Sequence, residues 1–272
     1  MNNLTMTDLR ILSLGAGVQS TTLALMIEKG EVPMVDCGIF ADTMGEPKIV
    51  YEHLDWLEQQ LSFPVHRVFY RNLRQDILDA VDGKYKFMSI PLYTRNAETG
   101  KKGLLRRQCT ADYKITPINK KVRELLGYKK GERVKKGTKV EMLMGISKDE
   151  IIRTRINRLP YIQNIYPLID RDMRRHNCLQ WMEKNNYPRP PRSACTFCPY
   201  HSNEEWKEIK KNKEEWDGVV ALDKKVRKGT KKNTDLVYLH KSIVPLDEAD
   251  LDPNKDQQDL FNDICDEGMC GV

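Results

Sequence analysis

Long apolar runs are missing from this 272-residue sequence. The longest, such as Ile11-Leu12-Ser13-Leu14, fall far short of the roughly 20 residues that a helical bilayer crossing needs. No membrane role is therefore expected. The stretch MNNLTMTDLR at the start lacks the basic segment, apolar core and small-residue cleavage site of a secretory leader, so a cytoplasmic protein is expected. Internal repeats and long low-complexity tracts are absent too. What remains, at 40% hydrophobic and 31% charged residues, is an ordinary globular composition. The common phosphate-binding signatures are also incomplete. No Gly-Lys-Ser/Thr follows the first glycine loop, which excludes a Walker A sequence. Gly15-Ala-Gly17 does not extend to a dinucleotide fingerprint, because Ser20 stands where the third glycine belongs.

The length suits one α/β domain with appended elements, or a domain with a small subdomain. Net charge is +6, yet residues 247–272 hold a run of acids against one base, Lys255, so the rest of the chain is more basic than the total. Such a body favours polyanions, nucleotides first and nucleic acid second, although lysine-rich solvated helix faces give the same count. Arg10–Leu14 is β-prone and runs into a glycine loop. Leu23, Met26 and Ile27 then recur at helical spacing. Val35–Ala41 and Val65–Tyr70 read as further strands, with an amphipathic helix carrying Val50, Leu54, Leu57 and Leu61 between them. Strands alternating with helices predict a doubly wound parallel sheet. Residues 84–107 are poor in periodicity and predict a mobile loop. Helices are expected over 115–126, 149–157, 172–185 and 203–216, and a strand over 140–146. The expected divisions are a nucleotide-binding α/β domain over 1–170, a cysteine-containing helical region over 171–246, and an acidic tail over 247–272.

Glycines between a strand and a helix let successive N–H groups converge on an anion, and the helix N-terminus adds its dipole. Ser13, Gly15, Ala16, Gly17, Val18, Gln19 and Ser20 are the candidate phosphate loop. A plain tight turn explains such a motif equally well. Arg106, Arg107, Arg153 and Arg155 are the candidate phosphate clamps, since a guanidinium binds phosphate oxygens bidentately. Trp56, Trp181, Trp206 and Trp216 all fit helical packing positions.

The seven cysteines include one CxxC, Cys195-Thr-Phe-Cys198. In a reducing compartment clustered cysteines point to metal or to redox chemistry. Prolines before this pair and Pro199 after it favour metal. Four thiolates suit tetrahedral Zn²⁺ and a [4Fe–4S] cluster alike. Cys178 is a candidate fourth ligand, with a buried apolar thiol as the plainer alternative. His201 reads as a helix-start surface histidine or a substitute ligand. Cys265 and Cys270 lie among acids that work against thiolate formation.

The loop SLGAGVQST resembles the SGGxDS loop of PP-loop ATP pyrophosphatases and PAPS reductases. Phe40-Ala-Asp-Thr43, with Glu46-Pro47 and Val50-Tyr-Glu-His53, resembles the second motif of the PAPS reductase group. Arg107-Gln-Cys-Thr110 with Lys114 and Pro117 resembles the stretch bearing the first cluster cysteine, and Gly145-Ile-Ser-Lys-Asp-Glu150 with Arg153 the later phosphate-side motif. Cys178-x-x-Trp181 and Ser193-Ala-Cys-x-x-Cys-Pro199 resemble an often phage-borne branch of that family. The sequence departs from the pattern at Ala16, where the family has glycine, and at Gln19, where it has aspartate. A neutral amide does not hold Mg²⁺ as a carboxylate does, so Asp42 or Glu46 would have to supply that oxygen.

The resemblance implies an adenine nucleotide, ATP or PAPS, on the loop with Phe40, Asp42, Gly145, Arg153 and Arg155. It implies an Fe–S cluster on Cys109, Cys178, Cys195 and Cys198, with Zn²⁺ the alternative, and one open iron if only three cysteines bind. Two chemistries follow. One is adenylation of a nucleobase in tRNA or DNA with sulfur or nucleophile insertion, using Asp42 and Arg153. The other is sulfonucleotide reduction with Cys270 as nucleophile and a thiol electron donor. A non-catalytic binding module with structural zinc is the reading from another class.

Overall fold

The computed structural model describes residues 7–230 and 235–252. In chain order these form β1 (Leu9–Leu14), α1 (Val18–Glu28), β2 (Cys37–Asp42), α2 (Lys48–Glu58), β3 (Val65–Phe69), α3 (Leu73–Val81), β4 (Tyr93–Arg95) and β5 (Lys102–Leu104). A π-helical turn (Thr110–Ile115) leads into α4 (Thr116–Leu125). After it come β6 (Val140–Met144), a 3₁₀ turn (Lys148–Arg153), β7 (Ile162–Ile165), α5 (Pro167–Asp170), α6 (Arg175–Lys184), α7 (Asn203–Lys211), α8 (Lys213–Val226) and β8 (Leu236–Tyr238).

The central sheet is parallel throughout, in the order β3-β2-β1-β6-β7. This is the α/β architecture that the sequence pattern predicts. Strands buried on both faces read as apolar runs, and β1 shows why. Ile11 enters one core with Ile39, Met142, Ile118 and Val122, where α4 covers the sheet. Leu12 and Leu14 enter the opposite core with Leu23, Ile27, Leu54 and Leu57 of α1 and α2. At about 25 cal/mol per Å² of apolar area, this two-sided burial is the main force holding the layers.

A third core joins α3, α7 and α8 to an antiparallel sheet in the order β5-β4-β8. Met88, Ile90 and Leu92 are buried in it, so residues 84–107 are not a mobile loop but a packed segment carrying the β4–β5 hairpin. β4 also pairs with β8, and Cys178 and Met182 of α6 pack into the α1 core. The cores thus cross the boundary expected at residue 170. The helix expected over 203–216 is two helices, broken at Asn212, whose side chain caps α8 by accepting the Glu215 N–H. The helix expected over 149–157 is only the 3₁₀ turn. No helix among the described residues is long and apolar enough to cross a membrane.

Candidate functional site

In parallel α/β sheets ligands bind at the carboxyl ends of the strands, where the strand order reverses. Here the reversal falls between β1 and β6. Residues Gly15–Gly17 leave β1 at that point, and α1 begins at Val18 with Gly17 as its N-cap. Ala16 is buried with φ +55°, a left-handed conformation that an alanine adopts only at a cost. The Ser20 hydroxyl bonds the Gly17 N–H and carbonyl, each at 3.2 Å, which fixes the loop against the first helical turn. From β6, Gly145 meets the loop so closely that an added Cβ would lie 2.7 Å from Ser20 Cα and 2.8 Å from its N. The Gln19 amide reaches the Ser147 hydroxyl at 3.4 Å.

β2 ends at Asp42, whose carboxylate accepts the Met44 N–H at 2.7 Å and the Tyr51 hydroxyl at 2.8 Å. Burial, then the Asp42 hydrogen bond, pushes the Tyr51 phenol far above its ordinary range, so it stays a donor. Four residues on, the Glu46 carboxylate is enclosed. It accepts from the Ser193 hydroxyl at 3.2 Å and faces the Lys114 ammonium at 3.6 Å.

The segment before α7 lies over these loops. The Thr196 N–H donates to the Gly45 carbonyl at 2.7 Å, and the Cys195 thiol lies 3.0 Å from the Thr43 hydroxyl. Gly45 permits this approach, since a Cβ there would sit 2.8 Å from the buried Phe197 ring. Cys109, Cys195 and Cys198 line one pocket with Thr43, Arg107 and Lys114. Cys109 precedes the π-helical turn and is held by its N–H to the Ser89 carbonyl at 2.8 Å. His201 is not at the surface. It is buried, its Nε2 lies 2.9 Å from the Cys195 carbonyl, and burial followed by Arg192 lowers its pKa to about 3, so it is a neutral support for the CxxC turn.

The remaining predicted residues have other side-chain surroundings. Cys178 is buried between α6 and α1, where burial, then Asp149, pushes its thiol up to about 12. It is not among the residues lining the Cys195 pocket. Phe40 and Val18 are core residues of the α1 layer, and Ser13 is buried within β1. Arg153 is bonded to the buried Glu150 at 2.6 Å on its own turn. Arg155 bonds the Ile152 and Thr154 carbonyls and lines a separate surface pocket with Asn157, Asn164 and Tyr166. Cys265 and Cys270 lie outside the described residues. Sequence reasoning assigned no role to Thr43, Ser147 or Ser193. Nothing marks a lone hydroxyl until the fold places it. Gly45 and Gly145, beside the loops they admit, are the positions where close packing leaves a mark in the sequence.

Three thiols around one pocket are the donor type that a cluster or zinc takes. As the side chains stand, no three His, Cys, Asp or Glu among the described residues group closely enough to hold a metal ion.

No family model matches the chain, and no curated protein matches it. Among solved structures it is similar to a phosphoadenylyl-sulfate (PAPS) reductase from Candida auris in a phosphate complex, at 14% identity, over 69% of this chain and 78% of that one, with a TM-score of 0.44.

Proposed function

We propose that this chain is an enzyme that binds an adenine nucleotide at the Gly15–Ser20 loop and acts at the nucleotide's phosphate end, transferring sulfur or another nucleophile to an adenylated nucleobase. One observation carries the reading: a glycine loop at the switch point of a parallel sheet faces the same strand ends as a cysteine-lined pocket, with Gly17 against Ser193 and Gly45 against Cys195. The N-terminus of α1 would hold phosphate through its backbone amides. Asp42, at the end of β2, would position a cation or orient the ribose. Lys114 and Arg107 supply positive charge from the pocket wall.

Cys109, Cys195 and Cys198 are the residues that would hold an Fe–S cluster. Such a cluster, when bound by three thiolates, offers one iron for a sulfur or substrate atom. The chain's own contribution is positional. His201 and Thr43 fix the CxxC turn from behind, and the buried Glu46–Lys114 pair ties the first cysteine's helix to the loop after β2.

The test is an anaerobic assay of pyrophosphate release from ATP with tRNA or DNA supplied as acceptor, beside sulfite release from PAPS with a dithiol supplied as reductant. Pyrophosphate release that depends on Lys114 and Asp42 supports the reading. Sulfite release without it replaces the reading with sulfonucleotide reduction, for which Cys270 would be the nucleophile to substitute. Turnover of neither substrate would sink both.

A further inference from the structure

The carboxyl end of edge strand β3 carries an unusual surface. Phe69 is 65% exposed, Tyr70 44%, Tyr85 38% and Phe87 63%, all within two short segments. Single exposed apolar residues are ordinary, but four exposed rings on two short segments are not. A cation joins two of them. The Arg71 guanidinium stacks 4.7 Å from the Tyr70 ring centre and 4.8 Å from that of Tyr85, and bonds the Tyr85 hydroxyl at 3.2 Å. Asp76 anchors it from beneath at 2.8 Å. Lys84 and Lys86 flank Tyr85 in the chain and are exposed, with Lys84 paired to Asp79 and Asp82 the exposed acid beside them.

This surface is tied to the helical turn after Cys109 through the buried Tyr113. Tyr70 packs edge-on against Tyr113 at 5.5 Å, and Tyr113 sits on the π-helical turn between Cys109 and Lys114. The segment bearing Tyr85 and Phe87 continues to Ser89, whose carbonyl takes the Gln108 and Cys109 N–H groups.

We infer that this aromatic and basic platform binds single-stranded nucleic acid, stacking unpaired bases on Phe69, Tyr85 and Phe87. The chemistry selects this occupant. Every base offers a π-face to a ring, a guanidinium already seated on rings extends the stack, and lysines meet the phosphates. A duplex keeps its bases stacked inside and offers these rings nothing. The inference rests on the proposed function only in making the strand a substrate; the binding itself is independent of it.

Fluorescence anisotropy of labelled DNA and RNA oligonucleotides of one sequence, single-stranded and duplex, tests it on the full chain. Single strands should bind more tightly than duplex, more weakly as salt rises, and the DNA and RNA arms identify which strand is preferred. Tyr85→Ala and Phe87→Ala should each weaken binding at least about fivefold, the low end for loss of one base stack, whereas Tyr85→Phe, which keeps the ring, should not. Calorimetric ATP affinity should be unchanged in all three variants. No single-strand binding, tighter duplex binding, or alanine variants that bind like the parent would each overturn the inference. Loss of ATP binding in the parent with strand binding intact would overturn the proposed function alone.

Discussion

Ala16 sets two small effects against each other. Its left-handed backbone costs about 1–2 kcal/mol relative to glycine. Its buried methyl returns about 0.8 kcal/mol, and glycine would add freedom to the unfolded chain. The two nearly cancel, so Ala16→Gly should change stability by less than about 1 kcal/mol and keep nucleotide affinity. A β-branched residue is more strained at positive φ and would add two methyl groups at a fully buried position, so Ala16→Val should destabilise by more than about 2 kcal/mol. Denaturant titration of the two variants checks both. His53 gives a pH signature. It is buried, its Nε2 lies 3.1 Å from the Thr21 hydroxyl, and burial lowers its pKa to about 4. The unfolded chain takes this proton near pH 6.5 and the folded chain only near 4. Stability attributable to His53 is therefore intact above that window and falls through it as pH drops, by up to about 3 kcal/mol. Thermal midpoints between pH 7 and 4 should fall less steeply in His53→Gln; parallel curves would refute the assignment. Much of this was hidden in the sequence, because a histidine on a helix gives no sign of the threonine it will face.

At the scale of elements, two glycines hold the site's layers together. Gly145→Ala would drive a Cβ into the Ser20 backbone, which cannot rotate away. It should cost about 1–3 kcal/mol and weaken ATP binding at least tenfold by calorimetry. Gly45→Ala meets the Phe197 ring instead and should disturb the CxxC turn while leaving the phosphate loop intact. Helix α6 decides a different matter. Because Cys178 faces α1 within an apolar core, Cys178→Ala should behave as a small core truncation of about 1 kcal/mol and retain bound metal, whereas Cys195→Ala should lose it. Metal analysis of anaerobically purified protein reads this directly, and equal loss in both variants would return Cys178 to the ligand set. The strands and helices up to residue 81 follow from apolar spacing, apart from α3. The short β4, β5 and β8 do not, since a three-residue strand is made by its partner rather than by its own pattern.

At the scale of the whole molecule, the site is a meeting of three layers, so a nucleotide seated there should stabilise all of them. ATP at about 100 times its Kd should add about 2.7 kcal/mol, read as a rise of several degrees in the thermal midpoint. PAPS run beside it ranks the two nucleotides, and no shift with either would contradict the site. The sequence by itself determined the α/β class, the glycine loop after β1, and the cysteine types available for metal, because periodicity and residue chemistry are local properties. Only the tertiary structure decided which residues share a pocket. It brought Cys109 to Cys195 and Cys198, placed Cys178 in another core, seated Ser193 on Glu46, and drew Arg153 onto Glu150. The physical reason is that burial and side-chain pairing are settled between segments far apart in the chain, where the spacing of letters carries no distance.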